Sequence, residues 1–302
     1  MKKLLITGSS GFLGGFCSHY PVEDWQIVQS SREKNSKNSV GYQHYPLELT
    51  IKDDVWQCLK TVKPDAVFHL AANSSTGFCE KNPEDSRVLN VDSTAVLAEM
   101  CAEKKVKFLF ASSEQVFDGT KGNYREEDNP DPKNEYGRQK LNAEKAIQEI
   151  DNRAIILRLA VLYGSNQYGR DCFFSQWLDA WSKSVAVTAF HDEIRQFLSV
   201  QSCAACFYHL LKQDAEGIFH LGGSLAMSRY DFAKMMKEVL CIENAKIIEA
   251  SQKDVDMPAF RPADLSLSCD KIKSTGFSLT NPLDELKALK PNLNIKPAIF
   301  LN

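Results

Sequence analysis

The chain opens with two lysines and then turns apolar at Leu4-Leu5-Ile6, a run that stops at Thr7-Gly8. Similar short apolar runs without alternation fall at Gln26–Gln29, Asp65–Ala71, Lys107–Ser112, Ala154–Leu159 and Gly217–Leu221. A strand that is apolar at every position is buried on both faces, so these runs predict a parallel sheet. Helical periodicity fills the intervals at Gly11–His19, Lys52–Thr61, Glu84–Glu103 and Asn134–Ile150. Strand–helix alternation joined by right-handed crossovers predicts an α/β fold, a doubly wound parallel sheet of the Rossmann type.

After Gly164 the alternation loosens. Ser165–Trp181 is aromatic and polar, Ser202–Leu211 and Met227–Leu240 read as helices, and Leu283–Leu289 as a shorter one. Sheet material near 195–224 returns after an excursion. The expected division is therefore residues 1–164 plus about 195–224 as the dinucleotide-binding domain. Residues of about 165–194 plus 225–302 form a smaller C-terminal substrate domain.

Composition narrows the class. The net charge of −3 over 302 residues gives no nucleic-acid footprint. No apolar run reaches the roughly 18–20 residues of a membrane helix, and the first is too short for a signal peptide. The nine cysteines are an odd number and read as reduced, mostly buried thiols of a cytoplasmic protein. Cys203 and Cys206 have CxxC spacing inside a helical stretch with no second ligand pair, so no metal is expected.

Glycines recur every three residues in Thr7-Gly8-Ser9-Ser10-Gly11-Phe12-Leu13-Gly14, between a predicted strand and a predicted helix. That context suits a dinucleotide pyrophosphate. The turn is tight, backbone can approach the phosphates, and the helix start offers free N–H groups. Gly8, Ser10, Gly11, Phe12, Leu13 and Gly14 are the expected contacts. The second strand ends in Ser30-Ser31-Arg32 rather than in a carboxylate. With no acid to repel a 2′-phosphate and Arg32 to pair with it, Ser31 and Arg32 favour NADP over NAD.

Tyr136 and Lys140 form a YxxxK at the start of a predicted helix, on one helical face. A phenol beside an ammonium is expected to titrate below its usual value near 10, which would let it act as a proton donor. Ser112-Ser113 ends the strand that faces the same crevice, so a hydroxyl there can hydrogen-bond the reacting oxygen.

On these motifs the chain resembles the extended short-chain dehydrogenase/reductases, and among them the dTDP-4-dehydrorhamnose reductase family. Ser112-Ser113-Glu114-Gln115-Val116-Phe117-Asp118-Gly119-Thr120-Lys121-Gly122 is similar to that family's STDYVFDGxxG. The likeness continues through Tyr124, Glu126, Asn129-Pro130 and Pro132 into Tyr136-Gly137-Arg138-Gln139-Lys140-Leu141. Arg195 with Ser199, and Arg261 through Leu267, resemble segments of its substrate domain.

The resemblance implies NAD(P)H-dependent reduction of a 4-keto nucleotide sugar. Ser113, Tyr136 and Lys140 become the catalytic set, with Lys140 also holding the nicotinamide ribose. It further implies Glu48 and Leu49 near adenine, Ala71-Ala72 along the cofactor, and Arg261 with Arg195 as candidates for the substrate diphosphate. A homodimer is a plausible assembly for the family.

Glu114 and Gln115 depart from the family's Asp and Tyr. Related dehydratases carry Thr-Asp-Glu there, and a neutral Gln115 cannot serve as base, so dehydration is disfavoured. Phe197 stands where proline is common, which puts the identity of the sugar in question. Two alternatives remain open: a nucleotide-sugar epimerase of the same superfamily, or a catalytically silent dinucleotide-binding regulatory subunit, of which methionine adenosyltransferase supplies a related example.

Other candidates carry less. The six histidines show no ligand spacing, and His69 reads as a buried strand residue. Trp177 and Trp181 share a helical face and read first as core, second as a sugar platform.

Overall fold

The computed structural model describes residues 1–33, 41–165 and 167–293. Seven strands make the central sheet: β1 (Lys2–Thr7), β2 (Trp25–Ser31), β3 (Gln43–Pro46), β4 (Ala66–His69), β5 (Lys107–Ser113), β6 (Ile155–Leu159) and β7 (Gly217–Leu221). They lie in the order β7-β6-β5-β4-β1-β2-β3, and every pairing is parallel.

Both faces of the sheet are covered, which is why its strands are apolar throughout. Along β1, Leu4 and Ile6 pack into one core while Leu5 packs into the other. Along β5, Leu109 and Ala111 alternate in the same way with Phe108 and Phe110. The first core is closed by the helices Phe12–His19 and Val200–Lys212, through Leu13, Phe16, Cys203 and Phe207. The second is closed by Lys52–Val62, Ser93–Glu103 and Glu135–Ile150, through Leu59, Leu97 and Ile147. Each such side chain is worth about 1.5–3 kcal/mol on burial. The order reverses between β1 and β4, and the crevice at the carboxyl ends of these strands is where an open α/β sheet takes its ligand.

Two local readings are corrected. Gln43–Pro46, not foreseen as a strand, adds to the outer edge of β2. The single helix expected over Glu84–Glu103 is instead Pro83–Arg87, a π turn at Val88–Asp92, and Ser93–Glu103.

A smaller lobe is built on a third core, with Phe174, Trp181, Phe232, Met236 and Leu286 at its centre. Phe197 belongs to it, fully buried and stacked on Phe232 at 3.8 Å between ring centroids. The departure from proline therefore fills a core rather than shapes a substrate pocket. Ile194–Gln196 pairs with Ala226–Ser228, and Val187–Phe190 with Ile247–Ala250.

The chain passes between the lobes repeatedly. It leaves the sheet after β6, returns for the helix Val200–Lys212 and β7, then leaves again, and Tyr124 still bridges to Leu267 from the far end. Glu285, on the helix Pro282–Leu289, fastens the lobes by accepting from Tyr163, Ser199, Ser202 and Thr280. Among the described residues no helix is long and apolar enough to cross a membrane. Cys203 and Cys206 are buried in the first core, and among the described residues no His, Cys, Asp or Glu cluster is arranged to hold a metal.

Candidate active site

A cavity of about 570 Å³ follows the crevice. At one end lie Ser30, Ser31, Arg32, Glu48 and Leu49; at the middle Gly8 and Ser10 through Gly14; at the other end Ser113, Glu114, Gln115, Tyr136 and Lys140. Ala71, Ala72 and Arg195 also line it.

The middle is a cradle. The helix Phe12–His19 starts at Gly11 with no side chain capping it, so its first N–H groups are open to a ligand. A Cβ on Gly14 would fall 2.1 Å from the Gly8 carbonyl oxygen, so only glycine lets the helix press on the turn. At the first end the Ser30 hydroxyl is buried with no hydrogen-bond partner. An orphaned hydroxyl there, an open helix start and an exposed Arg32 fit a dinucleotide. The Glu48 carboxylate accepts from the Thr50 amide and hydroxyl at 3.1 and 2.8 Å, which holds it at the cavity rim.

At the far end, the helix Glu135–Ile150 is capped by Asn134, whose side-chain oxygen accepts from the Gly137 amide at 2.9 Å. The Asn134 amide donates to the Gln115 side chain at 2.8 Å and to the Phe260 carbonyl at 3.1 Å. A Cβ on Gly137 would meet the Gln115 carbonyl oxygen at 2.1 Å, so the glycine after Tyr136 lets the helix seat against the end of β5. Tyr136 and Lys140 are thereby held one helical turn apart, facing Ser113, whose hydroxyl hydrogen-bonds Tyr136. Lys140 Nζ donates to the Ala111 carbonyl at 2.8 Å and lies 5.9 Å from the centroid of the Tyr136 ring.

The expected acidification of Tyr136 is not seen. Burial pushes the phenol above its ordinary range, and the Ser113 hydrogen bond draws it back only in part. The Lys140 ammonium gives one of its three N–H groups to a backbone carbonyl, and burial lowers its own pKa to about 8 against the opposing charge of Glu144. Tyr136 is therefore a phenol that burial holds in its protonated form.

Beneath these groups a buried network fixes β5. Ser112 donates to Glu144, and Arg158 from β6 grips the same carboxylate, with Nη2 at 2.7 Å from Oε2. His69 donates or accepts at Thr7 and Thr94, at 2.8 and 2.9 Å, and burial lowers it to about 3, a neutral core histidine as the sequence suggested.

The smaller lobe supplies the outer wall. Arg195 lines the cavity, yet its guanidinium is engaged on every side. Nε faces Glu114 at 3.1 Å, Nη1 donates to the Ile194 and Ala263 carbonyls, and Nη2 to Pro262 and Glu193. Trp177 and Arg261 do not line the cavity. Trp177 packs at the third core, because its helix turns that face inward, and Arg261 reaches Glu193 at 3.2 Å. The sequence reading missed Ser74, Thr76, Leu89, Arg170, Phe173 and Arg229, all of them on the cavity wall. None belongs to a motif: Ser74, Thr76 and Leu89 come from the segments that follow β4, and Arg170, Phe173 and Arg229 are brought there by the smaller lobe.

Fold and crevice together are those of an extended short-chain dehydrogenase/reductase. The model of the RmlD substrate binding domain family matches residues 1–291, and the chain belongs to that family. It is 30% identical over 290 residues to the probable low-salt glycan biosynthesis reductase Agl14 of Haloferax volcanii, covering 94% of this chain and 96% of that protein. It is 26% identical to methionine adenosyltransferase 2 subunit beta of Pongo abelii, over 93% of this chain and 84% of that one. Among solved structures, dTDP-4-dehydrorhamnose reductase of Bacillus anthracis, in complex with NADP, superposes with a TM-score of 0.85 at 23% identity, covering 97% of this chain and 100% of that one.

Proposed function

We propose that this chain reduces the 4-keto group of a nucleotide sugar, with NADPH as reductant. The observation that carries the reading is the cavity itself, which runs from Arg32 past the glycine turn to Ser113, Tyr136 and Lys140. Family membership supports it, as do the reductases among the relatives. Ser31 and Arg32 would hold the 2′-phosphate of NADPH, and the Gly11–Gly14 helix start its pyrophosphate. When bound, the cofactor supplies a hydride to the carbonyl carbon. Ser113 Oγ orients the carbonyl by hydrogen bonding to its oxygen. Tyr136 Oη gives that oxygen its proton, a role suited to a phenol that burial keeps protonated. The Lys140 ammonium stands by to stabilise the phenolate left behind.

Similarity to methionine adenosyltransferase 2 subunit beta supports a second reading, a dinucleotide-binding subunit without turnover. NADPH consumption measured against a panel of 4-keto nucleotide sugars, with Tyr136→Phe as control, separates the two. Turnover that falls about 100-fold or more in the variant is the expected result. Tight NADPH binding with no turnover on any sugar favours the regulatory reading. Undiminished turnover in Tyr136→Phe removes Tyr136 from the acid role.

A further inference from the structure

We propose that Arg229 is the anion-binding residue of the cavity, gripping a phosphoryl or carboxylate oxyanion of the substrate. The inference rests on the cavity being a substrate site, as the proposed function has it, and it moves to Arg229 a task that the family resemblance implied for Arg195 and Arg261.

Three guanidinium groups, Arg195, Arg229 and Arg261, converge on one buried carboxylate, Glu193, which is 2% exposed. They differ in what they have left to offer. Arg195 is fully spent on Glu114, Glu193 and three backbone carbonyls. Arg261 reaches Glu193 from outside the cavity. Arg229 alone of the three combines a cavity position with open donors. Its Nε donates to Glu193 Oε1 at 2.6 Å, and its backbone N–H donates to the Glu193 carbonyl at 3.1 Å. Its guanidinium lies over the Phe173 ring at 4.9 Å from the centroid. Among the described residues Nη1 and Nη2 have no partner.

The clamp has a chemical consequence. Glu193 holds Nε and the Phe173 ring backs the guanidinium, which leaves the Nη1–Nη2 edge as a planar fork. Such a fork matches two oxygens of a phosphoryl or carboxylate group, and its side chain, 15% exposed, is largely desolvated already. Glu193 stays ionised because its three arginine partners hold its carboxyl down to about 2. It therefore acts as a positioning residue that aims Arg229.

The test is binding to the NADP⁺-saturated protein, followed by calorimetry. The probes are dTDP as the phosphoryl source and methyl glucuronide as the carboxylate source, applied to wild type, Arg229→Met and Arg229→Lys. The expected result is that the probe that binds wild type loses about 10–100-fold in Arg229→Met. Arg229→Lys should recover only part, since an ammonium offers no fork. Loss confined to dTDP assigns the site to a nucleotide phosphate, and loss confined to the glucuronide assigns it to a sugar acid. Equal affinity in wild type and Arg229→Met, or no binding of either probe to wild type, overturns the proposal. Unchanged NADP⁺ affinity reports that the variant is folded. Should it not fold, phenylglyoxal labelling of wild type decides: the bound probe protects Arg229, and an unprotected Arg229 overturns the assignment. The readout is affinity, so absence of NADPH turnover sinks the reductase reading without touching this one.

Discussion

Glu114 meets Arg195 with one oxygen only: Oε1 lies 3.1 Å from Nε, and Oε2 has no hydrogen-bond partner. Burial pushes this carboxyl up to about 8, and Arg195, already shared with Glu193, draws it only part of the way back. The unfolded chain releases the same proton near 4.5. Between these values the folded state binds more protons than the unfolded state, so this group makes stability fall as pH rises. The slope is on the order of 1.4 kcal/mol per pH unit. Glu114→Gln lacks it. Urea unfolding at pH 5 and pH 8 should show the wild type losing more stability than the variant, and equal losses would mean that Glu114 is ionised throughout.

Lys140 titrates near 8 and serves the proposed reduction only as an ammonium. The protonated form dominates below that value and disappears above it. With NADPH and a reducible 4-keto sugar, kcat/KM should hold level up to about pH 8 and then fall close to tenfold per pH unit. Lys140→Arg keeps its charge throughout, so whatever activity it retains should show no such alkaline limb. A wild-type profile that stays flat to pH 10 would mean that the ammonium is not needed.

Arg158 and Glu144 are both buried, at 3% and 1% side-chain exposure, and hold each other through Nε and Nη2. Removing one partner strands the other charge in the interior. Arg158→Met or Glu144→Leu alone should cost about 3–5 kcal/mol in chemical denaturation. The double substitution should cost less than the two losses added together. Strict additivity would show that the two residues do not act as a pair.

Arg32 is exposed at the cavity rim beside Ser31. If it pairs with the 2′-phosphate, Arg32→Ala should weaken NADP⁺ about 10–100-fold and leave NAD⁺ unchanged, as read by fluorescence titration. Equal weakening of both cofactors would place Arg32 away from the phosphate.

What could be read from the chain is what its local chemistry encodes. Strands covered on both faces announce themselves as apolar runs, and β1, β2, β4, β5, β6 and β7 were visible in this way. β3 was not. Gln43-His44-Tyr45-Pro46 has no fully buried position, so nothing forces an apolar run upon it. The π turn at Val88–Asp92 was equally silent, because its helical periodicity continues through it. The glycine turn and the Tyr136–Lys140 pair are short-range devices whose spacing is the signal. Arg229 has no such signature. Its place depends on Ile194–Gln196 pairing with Ala226–Ser228 and on Glu193 being buried among three arginines. Trp177 and Arg261 show the opposite error, since an attractive residue type does not say which way its element faces.

The repeated passage of the chain between the lobes has a further meaning for how such molecules can be recombined. β7, the edge strand beside β6, is delivered only after the polypeptide has built part of the other lobe. A fragment ending at Gly164 would bare the β6 edge and leave the Ala160 amide without the Leu221 carbonyl that it bonds. A chimera that borrows the outer lobe of a relative must accordingly be spliced as two separate inserts, one on either side of the segment Val200–Leu221.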